Sequence, residues 1–203
     1  MNQFRLTLLR HGQTSAPKNL NGSTDIALSD LGYQQMQAAL KPGDEFDQIT
    51  TSPLQRCHHF AKDRAKLWLI PLTIEPDLRE ICFGDWEGQA MQTLSQRYPQ
   101  DVEQFWKTPW QFTPPNGETM QAFTTRVDSA WDSLIKQQKN TLVICHSGVI
   151  RYLIAKVLEM PIPGNNHMIS LHLGFAARVD IDVTVEDNGK VWQTLQWPQT
   201  PYS

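Results

Sequence analysis

Two stretches of this chain end in the same way. Phe4, Leu6, Leu8 and Leu9 lead into Arg10-His11-Gly12, and Val143-Ile144-Cys145 leads into His146-Ser147-Gly148. Each is an apolar run of strand length that stops on a histidine with a glycine close behind. Such runs suit strands buried on both faces of a parallel sheet. In open α/β sheets the carboxyl ends of neighbouring strands converge on the ligand crevice. The pattern therefore predicts two imidazoles and one guanidinium meeting at one sheet edge. Gly12 is expected to let the backbone turn tightly and come close to a ligand.

Strands and helices alternate along the rest of the chain. Ser29 reads as the N-cap of a helix over residues 30–40, closed by Lys41-Pro42-Gly43. Residues 46–51 predict a second strand, Pro53 a helix opening through residue 66, and residues 71–74 a third strand. Residues 79–88 read as a loop and 89–97 as a short helix. Residues 105–117 are rich in Trp and Pro and predict a surface loop or lid. A long amphipathic helix is expected over 118–136, with Met120, Phe123, Val127, Ala130, Trp131 and Leu134 at helical spacing. A strand over 141–145 and a helix over 148–158 follow. From Met168 the alternation is β-like: Ile169, Leu171, Leu173, then Ala177, Val179, Ile181 and Val183. Asp187-Asn188-Gly189 predicts a hairpin turn before a strand over 191–195. This order predicts an α/β fold, with a mostly parallel sheet covered on both faces and an antiparallel hairpin at its end.

Composition narrows the function. At 203 residues the chain is long enough for one sizeable core, and one domain is the simplest count. Net charge is −3 with no basic run, which disfavours nucleic acid as a partner. No apolar stretch approaches membrane-spanning length, and the first residues lack the pattern of a signal peptide. Three cysteines (Cys57, Cys82, Cys145) without CxxC spacing read as reduced thiols of a cytoplasmic protein.

A third strand end, Thr51-Ser52-Pro53-Leu54-Gln55-Arg56, brings Arg56 onto the first turn of a helix near the same edge. A nucleophile candidate, two guanidiniums and a second imidazole suit phosphoryl transfer. Its transition state spreads charge over three equatorial oxygens that positioned donors stabilise. On this reading Arg10, Arg56 and His146 hold the phosphoryl oxygens. The neighbouring positive charge keeps His11 neutral and nucleophilic. Attack would give a phosphohistidine that water hydrolyses. Glu80, in Leu78-Arg79-Glu80, is the candidate proton donor to the leaving oxygen, with Asp85 and Glu87 competing.

Four segments carry a family resemblance. Arg10 to Thr14, Ser52 to Arg56, Leu78-Arg79-Glu80 with Phe83 to Gly88, and His146 to Arg151 occur in the order of the histidine phosphatase family, the phosphoglycerate mutase-like group. The resemblance implies a three-layer α/β/α fold and a phosphorylated His11. It implies a phosphate pocket of Arg10, Arg56 and His146, Glu80 as proton donor, and neither metal nor cofactor. Within the family, Phe83 to Glu87, and Pro115 to Glu118 followed by Gln121-Ala122-Phe123 and Arg126-Val127, resemble the α-ribazole phosphatases. A small ester, α-ribazole 5′-phosphate of cobalamin nucleotide-loop assembly, is then the expected substrate. The family pattern places a phosphate-contacting asparagine near position 17, where this chain has Pro17 in a shortened loop. Asn19 or Asn21 would substitute, and Asn21, the Gly22 amide and Ser147 are the expected substrate contacts.

Other residues have plainer readings. Glu118 is either a substrate contact or an acid favoured by a helix N-terminus. Trp106 and Trp110 either line a substrate mouth or pack down as a lid, while Trp68, Trp131 and Trp192 read as scaffold. Adjacent His58 and His59 do not share a helix face, and His167 and His172 lack ligand spacing. The competing functions are a broad-specificity phosphatase, a mutase that retains and reorients a bisphosphate, and an idle phospho-ligand-binding protein.

Overall fold

Apolar residues alternate between the two faces of the central strands, and this divides the core in two. The computed structural model describes residues 1–161, 163 and 169–197. In chain order the elements are β1 (Asn2–Arg10), α1 (Asp30–Ala38), β2 (Gln48–Thr51), α2 (Gln55–Trp68), β3 (Leu72–Ile74), α3 (Met91–Arg97), α4 (Pro99–Lys107), α5 (Met120–Gln137), β4 (Thr141–Cys145), α6 (Ser147–Val157), β5 (Arg178–Val185) and β6 (Val191–Gln196). Leu6 and Leu8 of β1, with Val143 and Cys145 of β4, face a core shared with α5 and α6. Leu9, Leu142 and Ile144 point the other way, into a smaller core with Met36 of α1 and Cys57, Phe60 and Ala61 of α2. The result is the expected α/β/α layering.

The sheet order is β3-β2-β4-β1-β5-β6. β3, β2, β4 and β1 run parallel, whereas β5 pairs antiparallel with β1, and β6 antiparallel with β5. Leu9 stands opposite Ile144 and Arg10 opposite Cys145, so the two histidine-bearing ends lie side by side. The hairpin between β5 and β6 turns where expected, with Gly189 at φ 84°. No helix among the described residues is long and apolar enough to cross a membrane.

The structure corrects several expectations. α2 begins at Gln55 with Leu54 as N-cap, so Pro53 precedes the helix instead of opening it. The Gln55 amide is capped from another loop by Asp25 Oδ1 at 2.7 Å. Residues 105–117 are not all loop: α4 reaches Lys107, and Phe105 is buried in the larger core. Pro99 at the first helical position is the signal that foretells this helix. The β alternation expected from residue 168 starts only at Arg178; His167 and Met168 lie outside the described residues. Gly12 makes a close helix contact: a Cβ there would stand 2.0 Å from the carbonyl oxygen of Gly32 on α1.

Candidate active site

A cavity of about 150 Å³ opens at the carboxyl edge of β1 and β4. Arg10, His11, Glu80, Ser147 and Arg151 line its polar end. Leu20, Phe83, Phe105 and Trp106 form apolar walls. A larger depression at the opposite end of the sheet holds the charges of Arg5, Asp182, Arg178 and Asp44, already paired with one another.

His11 is 7 % exposed, and its Nδ1 lies 2.8 Å from the Gly12 carbonyl oxygen. A carbonyl can only accept, so Nδ1 carries the proton and Nε2 keeps the lone pair. Burial holds the His11 pKa down to about 3, and the Arg56 and Arg10 guanidiniums lower it against the opposing Gly12 hydrogen bond. The expectation of a neutral imidazole stands on burial first and neighbouring charge second.

Arg10 sits at the end of β1, with Nη1 donating to the Leu173 carbonyl at 2.5 Å and its guanidinium 4.6 Å above the Phe175 ring. Its Nε is buried without a partner. Arg151, one turn into α6 from Ser147, donates Nε to the Leu171 carbonyl at 2.9 Å and reaches the same cavity. The sequence reading gave Arg151 no role, although its spacing from Ser147 puts both on one helix face. In the 171–175 segment, which lies outside the sheet, the Leu171 and Leu173 carbonyls go to these arginines and the Gly174 carbonyl to the Ala177 amide.

Arg56 and His146 stand behind His11, fully buried and outside the cavity lining. The His11 and His146 rings meet edge to face, 5.3 Å between centroids. Arg56 donates Nη1 to the Thr24 carbonyl at 2.7 Å, Nη2 to the Gly22 carbonyl at 2.6 Å and Nε to His146 Nδ1 at 3.3 Å. An arginine only donates, so His146 accepts at Nδ1 and its Nε2–H faces Ser52 Oγ at 2.8 Å. Burial pushes the His146 pKa well below the usual range, with Arg56 adding to it. Both groups were expected to touch phosphate; here neither lines the cavity, His146 gives its one N–H to Ser52, and Arg56 has four of its five N–H donors on His146, Thr24, Asn21 and Gly22.

The three acid candidates separate by position. Glu80 is 7 % exposed on the cavity wall, where Oε2 accepts the Gly148 amide at 3.0 Å and the Ser147 hydroxyl at 3.4 Å. Asp85 accepts the Asn116 side-chain amide outside the cavity. Glu87 is absorbed by the loop: it takes the amides of Gly22, Ser23, Thr24 and Phe83 and the Thr24 hydroxyl. Burial pushes its pKa up, but the hydrogen bonds from Thr24, Phe83 and Ser23 outweigh this and hold it below the usual value.

The expected substrate contacts are mostly committed elsewhere. The Gly22 amide donates to Glu87 at 3.1 Å and is not offered to the cavity. Asn21 lines the cavity, but its Nδ2 donates across its own loop to the Ala16 carbonyl. Ser147 lines the cavity and holds Glu80. Pro17 and Asn19 also line it, and Asn19 Nδ2 donates to the Gly88 carbonyl. Trp106 is on the wall, whereas Trp110 packs against the larger core. Glu118 fits neither of its readings: it precedes the Thr119 N-cap of α5 and pairs with Arg126. His59 and His172 are exposed, and among the described residues no three His, Cys, Asp or Glu side chains gather as a metal site.

A neutral histidine among arginines, at the carboxyl edge of a mostly parallel sheet, defines a phosphoryl-transfer class. The chain belongs to the Histidine phosphatase superfamily (branch 1), whose model matches residues 6–195. It is 37% identical over 167 residues to the adenosylcobalamin/alpha-ribazole phosphatase of Escherichia coli K12, covering 78% of this chain and 81% of that protein. The protein of the same name from Salmonella typhimurium is 35% identical over 169 residues, with the same coverage of each chain. The solved alpha-ribazole phosphatase of Shigella flexneri superimposes with a TM-score of 0.78 at 29% identity, covering 95% of each chain.

Proposed function

We propose that this chain is a metal-independent phosphomonoesterase that works through a phosphohistidine on His11, in one cytoplasmic domain. The observation that carries the reading is the fixed tautomer of His11. With Nδ1–H tied to Gly12, the Nε2 lone pair of a neutral ring is the nucleophile. Nε2 attacks phosphorus, the ester P–O bond breaks, and a proton held by Glu80 passes to the leaving oxygen. Water then attacks phosphorus and gives its proton to Glu80, the P–N bond breaks, and phosphate leaves. Arg10 and Arg151 face the cavity as donors for the phosphoryl oxygens, and Arg56 adds positive potential from behind.

The substrate we assign is α-ribazole 5′-phosphate. The names of the relatives support this, and so does the wall of Phe83, Phe105 and Trp106, which suits a flat aromatic base. The test is phosphate release in EDTA from this ester beside nucleotide, sugar and glycerate phosphates. Preferred turnover of the ribazole ester is the expected result. Equal or better turnover of the others withdraws the substrate assignment but keeps the histidine mechanism. Phosphorylation of a His11→Ala variant would overturn the mechanism itself.

A further inference from the structure

We propose that Arg126 is a positioning residue for the proton donor, holding the loop that carries Glu80 in its working orientation. The inference rests on the phosphatase reading above.

Arg126 lies on α5 and does not line the cavity. Its guanidinium has five N–H donors, and all five are engaged. Nη1 donates to the carbonyls of Asp77 and Arg79, each at 2.7 Å. Nη2 donates to the Glu80 carbonyl at 3.1 Å and to Glu118 Oε2 at 2.9 Å. Nε donates to Glu118 Oε1 at 2.7 Å. Glu118 completes the clasp: its Oε2 accepts the Cys82 amide at 3.2 Å, and its own amide donates to the Cys82 carbonyl at 2.8 Å. The peptide planes on both sides of Glu80 are thereby fixed from one rigid helix, while its carboxyl reaches the other way, to Gly148 of α6.

A purely structural brace predicts something different. Leu78 and Ile81 are buried in the larger core and keep the segment docked without Arg126. Loss of Arg126 therefore frees the rotation of the peptide planes around Glu80 more than it undocks the loop. A displacement near 1 Å at a catalytic group costs about a hundredfold in rate. Only leaving groups that need a proton should register it. Lysine cannot replace the clasp, because it has three donors on a point charge in place of a planar fork.

The test compares Arg126→Lys, Arg126→Gln and the milder Glu118→Gln with wild type on two esters. One is ribose 5-phosphate, whose alkoxide needs the proton; the other is p-nitrophenyl phosphate, whose leaving group does not. The expected result is a kcat loss of about 10- to 100-fold on the sugar ester for the Arg126 variants. KM should be unchanged and p-nitrophenyl phosphate turnover near wild type, with Glu118→Gln smaller in the same direction. Retained p-nitrophenyl phosphate turnover also shows that the variants fold. Equal losses on both esters in all three variants, or no loss on either, overturn the positioning role. A wild-type protein that releases phosphate from neither ester nor from α-ribazole 5′-phosphate overturns the phosphatase reading, and the proposal with it.

Discussion

Gly148→Ala is the sharpest probe of the acid geometry. An added Cβ would stand 2.3 Å from Glu80 Oε1 and 3.2 Å from its Cδ, both at the movable end of a side chain. The carboxyl must retreat by about 1 Å to reach ordinary contact distance, and it loses the alignment of the Gly148 amide with Oε2. A misplacement of that size costs about a hundredfold in rate, or about 3 kcal/mol in the barrier. Stability should move the other way, because Ala is favoured over Gly within a helix by up to about 1 kcal/mol. The assay is kcat on ribose 5-phosphate against p-nitrophenyl phosphate, with a thermal melt beside it. The expected result is a melting temperature at or above wild type, with the loss confined to the sugar ester. Unchanged kcat on the sugar ester, or the same loss on both, would refute Glu80 as the proton donor in this position.

Three further outcomes follow from the same geometry. His11 has a depressed folded pKa, so its contribution to stability is present above the unfolded value near 6.5 and is lost as pH falls toward about 3. In urea titrations between pH 6 and 4, wild type should lose about 1.4 kcal/mol per pH unit more than a His11→Asn variant, and parallel slopes would contradict the buried neutral ring. Gly12→Ala forces a Cβ onto the backbone of Gly32, which cannot yield as a side chain can, and should cost about 1–3 kcal/mol or more in urea unfolding; an unshifted midpoint would deny the contact. Trp106→Ala should lower kcat/KM about tenfold for an ester with an aromatic base and leave ribose 5-phosphate nearly unchanged; equal effects would remove Trp106 from base recognition.

The sheet was legible because burial on both faces leaves a mark in the chain. Phe4, Leu6, Leu8 and Leu9 before Arg10, and Leu142 to Cys145 before His146, are apolar runs, and these foretold parallel neighbours with their histidines together. Glu80 was legible only with the family resemblance, because Asp85 and Glu87 competed with it in the sequence. Other features depend on where hydrogen-bond donors end up, and the chain does not display that. Arg56 lies on the first turn of α2 as expected, but carbonyls from Thr24 and Gly22 draw its guanidinium behind His11. Glu118 had the composition of a helix-start acid, and it was claimed by an arginine eight residues on. The 171–175 segment alternates like a strand, yet its Leu171 and Leu173 carbonyls go to Arg151 and Arg10. α4 was a different kind of miss, since Pro99 announces it and the Trp- and Pro-rich stretch beyond obscured the signal.

The choice of partners explains how one site can hold so many cations. Arg10, Arg56 and Arg151 are all steered by backbone carbonyls. A carbonyl fixes the direction of a guanidinium without cancelling its charge, whereas a carboxylate does both. Burial and the Arg151 and Arg56 charges lower the Arg10 pKa while Glu80 raises it, the mark of a positive cluster with one nearby acid. That surplus is what a phosphate dianion neutralises on binding. Arg126, outside the cavity, is instead paired with the Glu118 carboxylate, although its charge still helps to lower the His146 pKa. The division is between arginines steered by carbonyls toward the ligand and an arginine paired with a carboxylate that chiefly supplies geometry. It is why substituting Arg126 should alter proton delivery and leave phosphate affinity where it was.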